Sequence, residues 1–119
     1  MMVEWRYGRI VNVCSVNAYE GRPSIACYAA AKAAVLSLTR SLALELAPHE
    51  VLVNAVSPGP IATDVAKSQD WLNARLPLIS LGRVAEPEGI AEIVLFLASA
   101  RNRVIVGEGV MANGGLLMA

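Results

Sequence analysis

Histidine occurs once, at position 49, and cysteine only twice, at positions 14 and 27, among 119 residues. Two thiols at this spacing form neither a disulfide framework nor a metal-ligand set, and their scarcity reads as a reduced, cytoplasmic protein. An excess of charge is missing as well, because ten acidic and ten basic side chains are scattered singly and cancel. No electrostatic footprint for nucleic acid or an anionic membrane surface results. Although 55% of the residues are apolar, no uninterrupted apolar run reaches the roughly eighteen residues of a membrane span. The apolar excess is therefore assigned to a core or an interface. The opening residues, Met1 to Arg6, include Glu4 and no long apolar stretch, unlike a secretory signal.

What is present alternates between two patterns. Residues 9 to 16, RIVNVCSV, form a short β-branched run expected to be a strand buried on both faces. A turn with Gly21, Arg22, Pro23 and Ser24 follows. Residues 26 to 47 are expected to be one long helix, with Ala31, Val35, Leu38, Leu42 and Leu46 as its apolar stripe and Pro48 just beyond its end. Its other faces are rich in Ala and Ser, which suits close approach of a second helix. Residues 50 to 56 repeat the buried-strand pattern and are expected to stop at Ser57-Pro58-Gly59-Pro60. A further helix starts near Pro87, buries Ile90, Ile93, Val94 and Leu97, and fades around Ser99. A last strand falls at 109 to 112, before Gly114-Gly115. Strands alternating with crossover helices imply an α/β fold, here part of a doubly wound, Rossmann-like parallel sheet of about three strands with flanking helices.

Ligands of such sheets sit beyond the carboxyl ends of the strands. Ser15 lies at that end of the first strand and Pro58-Gly59 at that of the second, while Tyr28 and Lys32, four apart, share a face near the start of the long helix. Taken singly, each has an ordinary structural use: serine in a strand-end turn, tyrosine in packing with its hydroxyl at the rim. Asn54 reads as an amide bonding nearby backbone, His49 as a solvated loop residue, and Cys14 as a packing residue pointing away from Ser15. Trp71, Leu72, Leu76, Leu78 and Ile79 are either ordinary helix packing or a segment covering a substrate.

Taken together and in order, GRIVNVCS, YAAAK, VNAVSPGPIATD and EGVMANGGLLM resemble the C-terminal half of the classical short-chain dehydrogenase/reductase family, from about residue 8 to residue 118. The resemblance implies an NAD(P)-dependent oxidoreductase that interconverts a carbonyl and a secondary alcohol. In it, Tyr28 is the general acid/base. A phenol is a poor base at neutral pH, and an ammonium beside it favours the phenolate, which is the part given to Lys32 together with a contact to the nicotinamide ribose. Ser15 holds the substrate oxygen. Pro58 and Gly59 line the nicotinamide pocket, and the backbone of Ile61 and the hydroxyl of Thr63 reach the carboxamide.

The family's glycine-rich turn, which seats the pyrophosphate on a helix amino end, has no counterpart in this sequence. The family's catalytic asparagine and the residue that selects NAD or NADP are also missing. Residues 1 to 119 are thus expected to be one truncated domain without its dinucleotide-binding half. Smaller departures are Leu52, Val106 and Asn113, where a basic residue, a threonine and an aspartate are common. Expected partners are a small carbonyl or alcohol substrate and further copies of the chain, through helix 26 to 47 and the C-terminal helix and strand. Two other readings compete: a non-catalytic remnant serving as an oligomerisation or folding module, and an extended relative such as a sugar-nucleotide epimerase, which the late NGG disfavours.

Overall fold

The computed structural model describes residues 1–119. Three parallel strands, β1 (Gly8–Val13), β2 (Val51–Pro58) and β3 (Gly109–Ala112), form one sheet in the order β1-β2-β3. Gly8 lies beside Val51, and Ala55 beside Gly109. Between the first two strands runs helix α2 (Ala26–Leu46), and between the last two come α3 (Asp64–Lys67), α4 (Asp70–Arg75) and α5 (Pro87–Ala98). A short helix at the start, α1 (Met2–Trp5), was not expected from the sequence. Alternate residues of β1 reach opposite layers. Asn12 donates to Thr39 of α2, whereas Arg9 reaches the carbonyl of Ser99 just past α5, so the two long helices cover opposite faces.

The middle strand is the core. Every residue of β2 is buried, whereas β1, expected to be buried on both faces, is mostly half-buried and ends in an exposed Val13. The reason is position in the sheet: β2 has a neighbour on each side and β1 has only one. The first strand is also shorter than expected, so Ser15 lies two residues beyond its end. The second is longer, continuing through Ser57 and Pro58. Cys14 N–H donates to Val56 and Gly59 N–H to Ala112, so Pro58 turns its nitrogen to the side where β1 has already ended. A missing N–H costs no ladder bond there.

Helix α2 keeps its expected limits but not its expected stripe. Leu36, Thr39 and Ala43 are its buried residues, Val35, Leu42 and Leu46 are half-buried, and Ala31 and Leu38 are exposed. The small-residue faces, expected to be covered, are open within this chain. Helix α5 buries Leu97 and half-buries Ile90, Ile93 and Val94 as expected, with Pro87 in its first turn. Asn54 does bond backbone, but across the fold: it donates to Ile105 at 2.7 Å and accepts from Glu108 N–H at 3.0 Å, tying the loop before β3 to the middle strand. Arg9 does the same at the other end, donating to the carbonyls of Ser99 and Asn102. His49 is exposed, in a 3-10 turn rather than a loop. No helix is long and apolar enough to cross a membrane.

Candidate active site

Beyond the carboxyl ends of β1 and β2 lies a cavity of about 480 Å³. Ser15, Tyr28, Pro58 and Gly59 all line it, so the crossover through α2 does return the tyrosine to the rim where the strands end. Ser15 caps a 3-10 turn, Val16–Ala18, with its Oγ accepting from Asn17 N–H at 3.1 Å. A hydroxyl has one proton to give in addition to its acceptor pairs, so Ser15 is held in place by its oxygen while its O–H donates to no protein group. Tyr28, in the first turn of α2, is about half exposed, with its ring open to the cavity.

Lys32 lies one turn further along. Its Nζ stands 5.8 Å from the centre of the Tyr28 ring and donates to the Val13 carbonyl at 2.9 Å. One of three ammonium protons is thereby used to fix the side chain, leaving two. The Cys14 thiol, one residue after that carbonyl, faces the other way, against Leu36 and Ala55, and donates to the Lys32 carbonyl. This is the packing role read for it.

Gly59 cannot carry a side chain, because a Cβ there would stand 2.8 Å from Cβ of Asn113 and 3.1 Å from its Cα. Asn113 is itself locked, donating to Leu117 and accepting from Gly115 N–H in a turn where Gly114 and Gly115 both adopt positive φ. The NGG segment thus props the Pro58-Gly59 corner from behind. Ile61 and Thr63 lie outside the wall of this cavity. Ile61 forms a bridge with Ala85, yet its own N–H donates to no protein group. Thr63 caps α3, accepting from Ala66 N–H at 3.1 Å, and like Ser15 retains its hydroxyl proton.

Of the rest of the wall, only Trp71 was singled out from sequence, as part of a segment that either packs or covers a substrate. Asn17, Arg22, Trp71 and Arg75 also line the cavity, and Arg75 is paired to Glu20 at 2.6 Å. Only tertiary contact joins residues 20 and 75, and no spacing signal marks them. The apolar group at 71 to 79 divides: Leu72 and Ile79 pack inward, whereas Trp71, Leu76 and Leu78 remain exposed, Trp71 at the cavity.

Residues 1–117 match the family model described as enoyl-(acyl carrier protein) reductase. The 3-oxoacyl-[acyl-carrier-protein] reductase FabG of Aquifex aeolicus is 44% identical over 117 residues, covering 97% of this chain and 47% of that protein. The acetoacetyl-CoA reductase of Shinella zoogloeoides is 45% identical over 112 residues, covering 92% of this chain and 46% of that protein. A crystal structure of 3-oxoacyl-[acyl-carrier protein] reductase from Brucella melitensis superposes with a TM-score of 0.91 at 40% identity, over 99% of this chain and 45% of that one. A second structure from that organism, described with bound NAD, gives 0.88 at 40% identity, over 99% of this chain and 44% of that one. The chain spans about half the length of the relatives it matches. A parallel sheet that gathers a serine, a tyrosine and a lysine at its carboxyl rim, matched over nearly the whole chain by these reductases, places it in the short-chain dehydrogenase/reductase family.

Proposed function

We propose that these residues form the substrate-binding and nicotinamide-binding half of an NAD(P)-dependent oxidoreductase acting on a carbonyl or the corresponding secondary alcohol. The observation that carries the reading is the convergence of Ser15 and Tyr28 on one cavity, with Lys32 against the Tyr28 ring. Ser15, held through its oxygen, gives its O–H to the substrate carbonyl and steadies the charge that develops on it. Tyr28 passes its phenolic proton to that oxygen in reduction and removes it in oxidation. Lys32 sits beside the Tyr28 ring, its ammonium fixed on the Val13 carbonyl with protons to spare for the cofactor.

The residues fit a nicotinamide group. Two unused Lys32 protons, the free Ile61 N–H and the Thr63 hydroxyl proton are donors without protein partners, suited to ribose hydroxyls and a carboxamide oxygen. Pro58 and Gly59 supply the closely approaching backbone beside them. The dinucleotide supplies the hydride when bound. Its pyrophosphate needs a cradle of backbone N–H groups that this chain does not contain, so residues outside the chain provide it in this reading. The substrate is a small carbonyl compound, and the names of the relatives favour a 3-oxoacyl thioester.

The test is a fusion of this chain behind the amino-terminal half of the Aquifex aeolicus relative, assayed by nicotinamide absorbance with acetoacetyl thioesters. Tyr28→Phe should lower turnover by about 10²–10⁴ with little change in dinucleotide affinity. Near wild-type turnover in that variant would remove Tyr28 from the chemistry. A fusion that folds and binds dinucleotide but reduces nothing would favour the second reading, a non-catalytic oligomerisation or folding module.

A further inference from the structure

The turn that carries Ser15 is fastened to the sheet at both of its ends, and the second fastening has no part in the roles given above. At the start, Cys14 N–H donates to the Val56 carbonyl of β2. At the end stands Tyr19, whose own N–H closes the turn on the Val16 carbonyl. Its half-buried ring packs against the cluster of Cys14, Leu36 and Ala55, and its hydroxyl reaches past them to the sheet. There the hydroxyl donates to the Gly109 carbonyl at 3.2 Å and lies 3.4 Å from Oγ of Ser57. A phenol has one proton, and with that proton on Gly109 its oxygen accepts from Ser57.

The sheet leaves room for this contact. A Cβ at Gly109 would run into the Tyr19 hydroxyl, and Gly109 does not adopt positive φ, so space and not backbone conformation calls for glycine at the start of β3. Ser15 itself accepts from Asn17 and Ala18, both within the turn. Those bonds fix Ser15 relative to the turn, and the polar fastenings of the turn to the sheet are at Cys14 and Tyr19. Ser57 immediately precedes Pro58 and Gly59 in the cavity wall. Tyr19 therefore joins the turn that presents Ser15 to the corner assigned to the nicotinamide.

We propose that Tyr19 is a positioning residue: by fastening the Ser15 turn to Ser57 and Gly109, it sets the distance between the Ser15 hydroxyl and the Pro58-Gly59 corner. The proposal rests on Ser15 holding the substrate oxygen. Hydride transfer needs the reacting atoms in contact, and a misplacement of about 1 Å costs about 10²-fold in rate. With Cys14 alone the turn is hinged at one end, and the Tyr19 contact removes that freedom. Tyr19 does not line the cavity, so its loss acts on the chemical step and not on the binding of either reactant.

The experiment uses the fusion protein described above, with an acetoacetyl thioester as substrate. Tyr19→Phe keeps the ring against Cys14, Leu36 and Ala55 and removes only the hydroxyl. Turnover should fall about tenfold, while KM for the thioester and dinucleotide affinity by fluorescence titration stay within about twofold. Loss of fold would instead lower the number of dinucleotide sites, which the same titration counts. Ser15→Ala supplies the coupling: it lowers turnover by itself, and adding Tyr19→Phe should cost nothing more, because the turn no longer carries a donor to place. Ser57→Ala weakens the same fastening from the sheet side and should cost about threefold, again nothing in the Ser15→Ala background. It decides the matter if Tyr19→Phe does not fold, and an unchanged turnover in it then overturns the proposal. Wild-type turnover in a folded Tyr19→Phe protein, a dinucleotide affinity that falls with turnover, or losses that multiply in the double variant overturn the proposal and leave the role of Ser15 standing. Wild-type turnover in Ser15→Ala overturns that role and the proposal with it.

Discussion

At the scale of the residue, Asn54 and Gly59 are committed to structure and can be tested without any reaction. Asn54 is fully buried and bridges Ile105 and Glu108, so Asn54→Ala leaves the Glu108 N–H without its acceptor and the Ile105 carbonyl with only the bond from Asn102. Losing these bonds and the packing of the amide should cost about 1–3 kcal/mol, and urea unfolding should show a midpoint below wild type. Gly59→Ala forces a methyl group onto the Asn113 backbone, which cannot yield as a flexible side chain would. A loss of about 1–3 kcal/mol is expected from such overpacking, and an unchanged melting temperature would show that the NGG turn does not press on this corner. Lys32 has both kinds of duty. Lys32→Met removes the Val13 bond as well as the donors proposed for the ribose, so in the fusion protein both dinucleotide affinity and turnover should fall. Fluorescence titration giving wild-type dinucleotide affinity would refute the ribose contact.

At the scale of the element, β1 is the exposed weak point. It pairs with β2 alone, so its other edge leaves N–H and C=O groups without a strand partner, the Val13 carbonyl being held by Lys32 instead, and its only charged residue is Arg9. An apolar edge of this kind invites another strand. The open faces of α2, with Leu38 and Leu44 exposed, add a second surface able to associate. The purified chain is therefore expected to be oligomeric or aggregated at micromolar concentration, and a single monomeric species by light scattering would contradict this. The helices differ in how well their local sequence marks their buried face. Along α5 the spacing of Ile90, Ile93, Val94 and Leu97 marks that face, although Leu95 and Phe96 stay exposed beside it. Along α2 apolar residues occur all round, so periodicity alone placed Leu38 inward where Leu36 and Thr39 are in fact buried.

At the scale of the whole molecule, the chain is open for its length. Its radius of gyration is 15.4 Å. A compact domain of this many residues would have about 13.5 Å. Only 23 of 119 residues are buried, and large apolar side chains such as Trp5, Leu95 and Phe96 remain exposed, as expected of a body that completes its core against further polypeptide. The chain alone is accordingly expected not to turn over substrate. Holding hydride donor and acceptor in contact accounts for about 7–11 kcal/mol of such a barrier, and the donors of Lys32, Ile61 and Thr63 are too few to hold a dinucleotide without a pyrophosphate site. Adding the glycine-rich half of a relative as a separate polypeptide should restore some activity. Robust turnover of ketones by the chain alone, followed by nicotinamide absorbance, would show that its cofactor binds elsewhere.

The order of strands and helices, the limits of α2, α5 and β3, and the resemblance borne by Ser15, Tyr28, Lys32 and the SPGP and NGG turns were legible in the sequence. Each depends on local chemistry: β-branched runs, helical spacing, prolines at element ends, glycines where φ is positive. The tertiary structure alone decided the rest. It chose which face of α2 is buried, left β1 at an edge, sent Asn54 to a loop more than fifty residues away, and set Arg75 beside Glu20 in the same cavity wall as Asn17. Those outcomes turn on which surfaces meet when distant segments pack, and neither the spacing nor the composition of one segment carries that information.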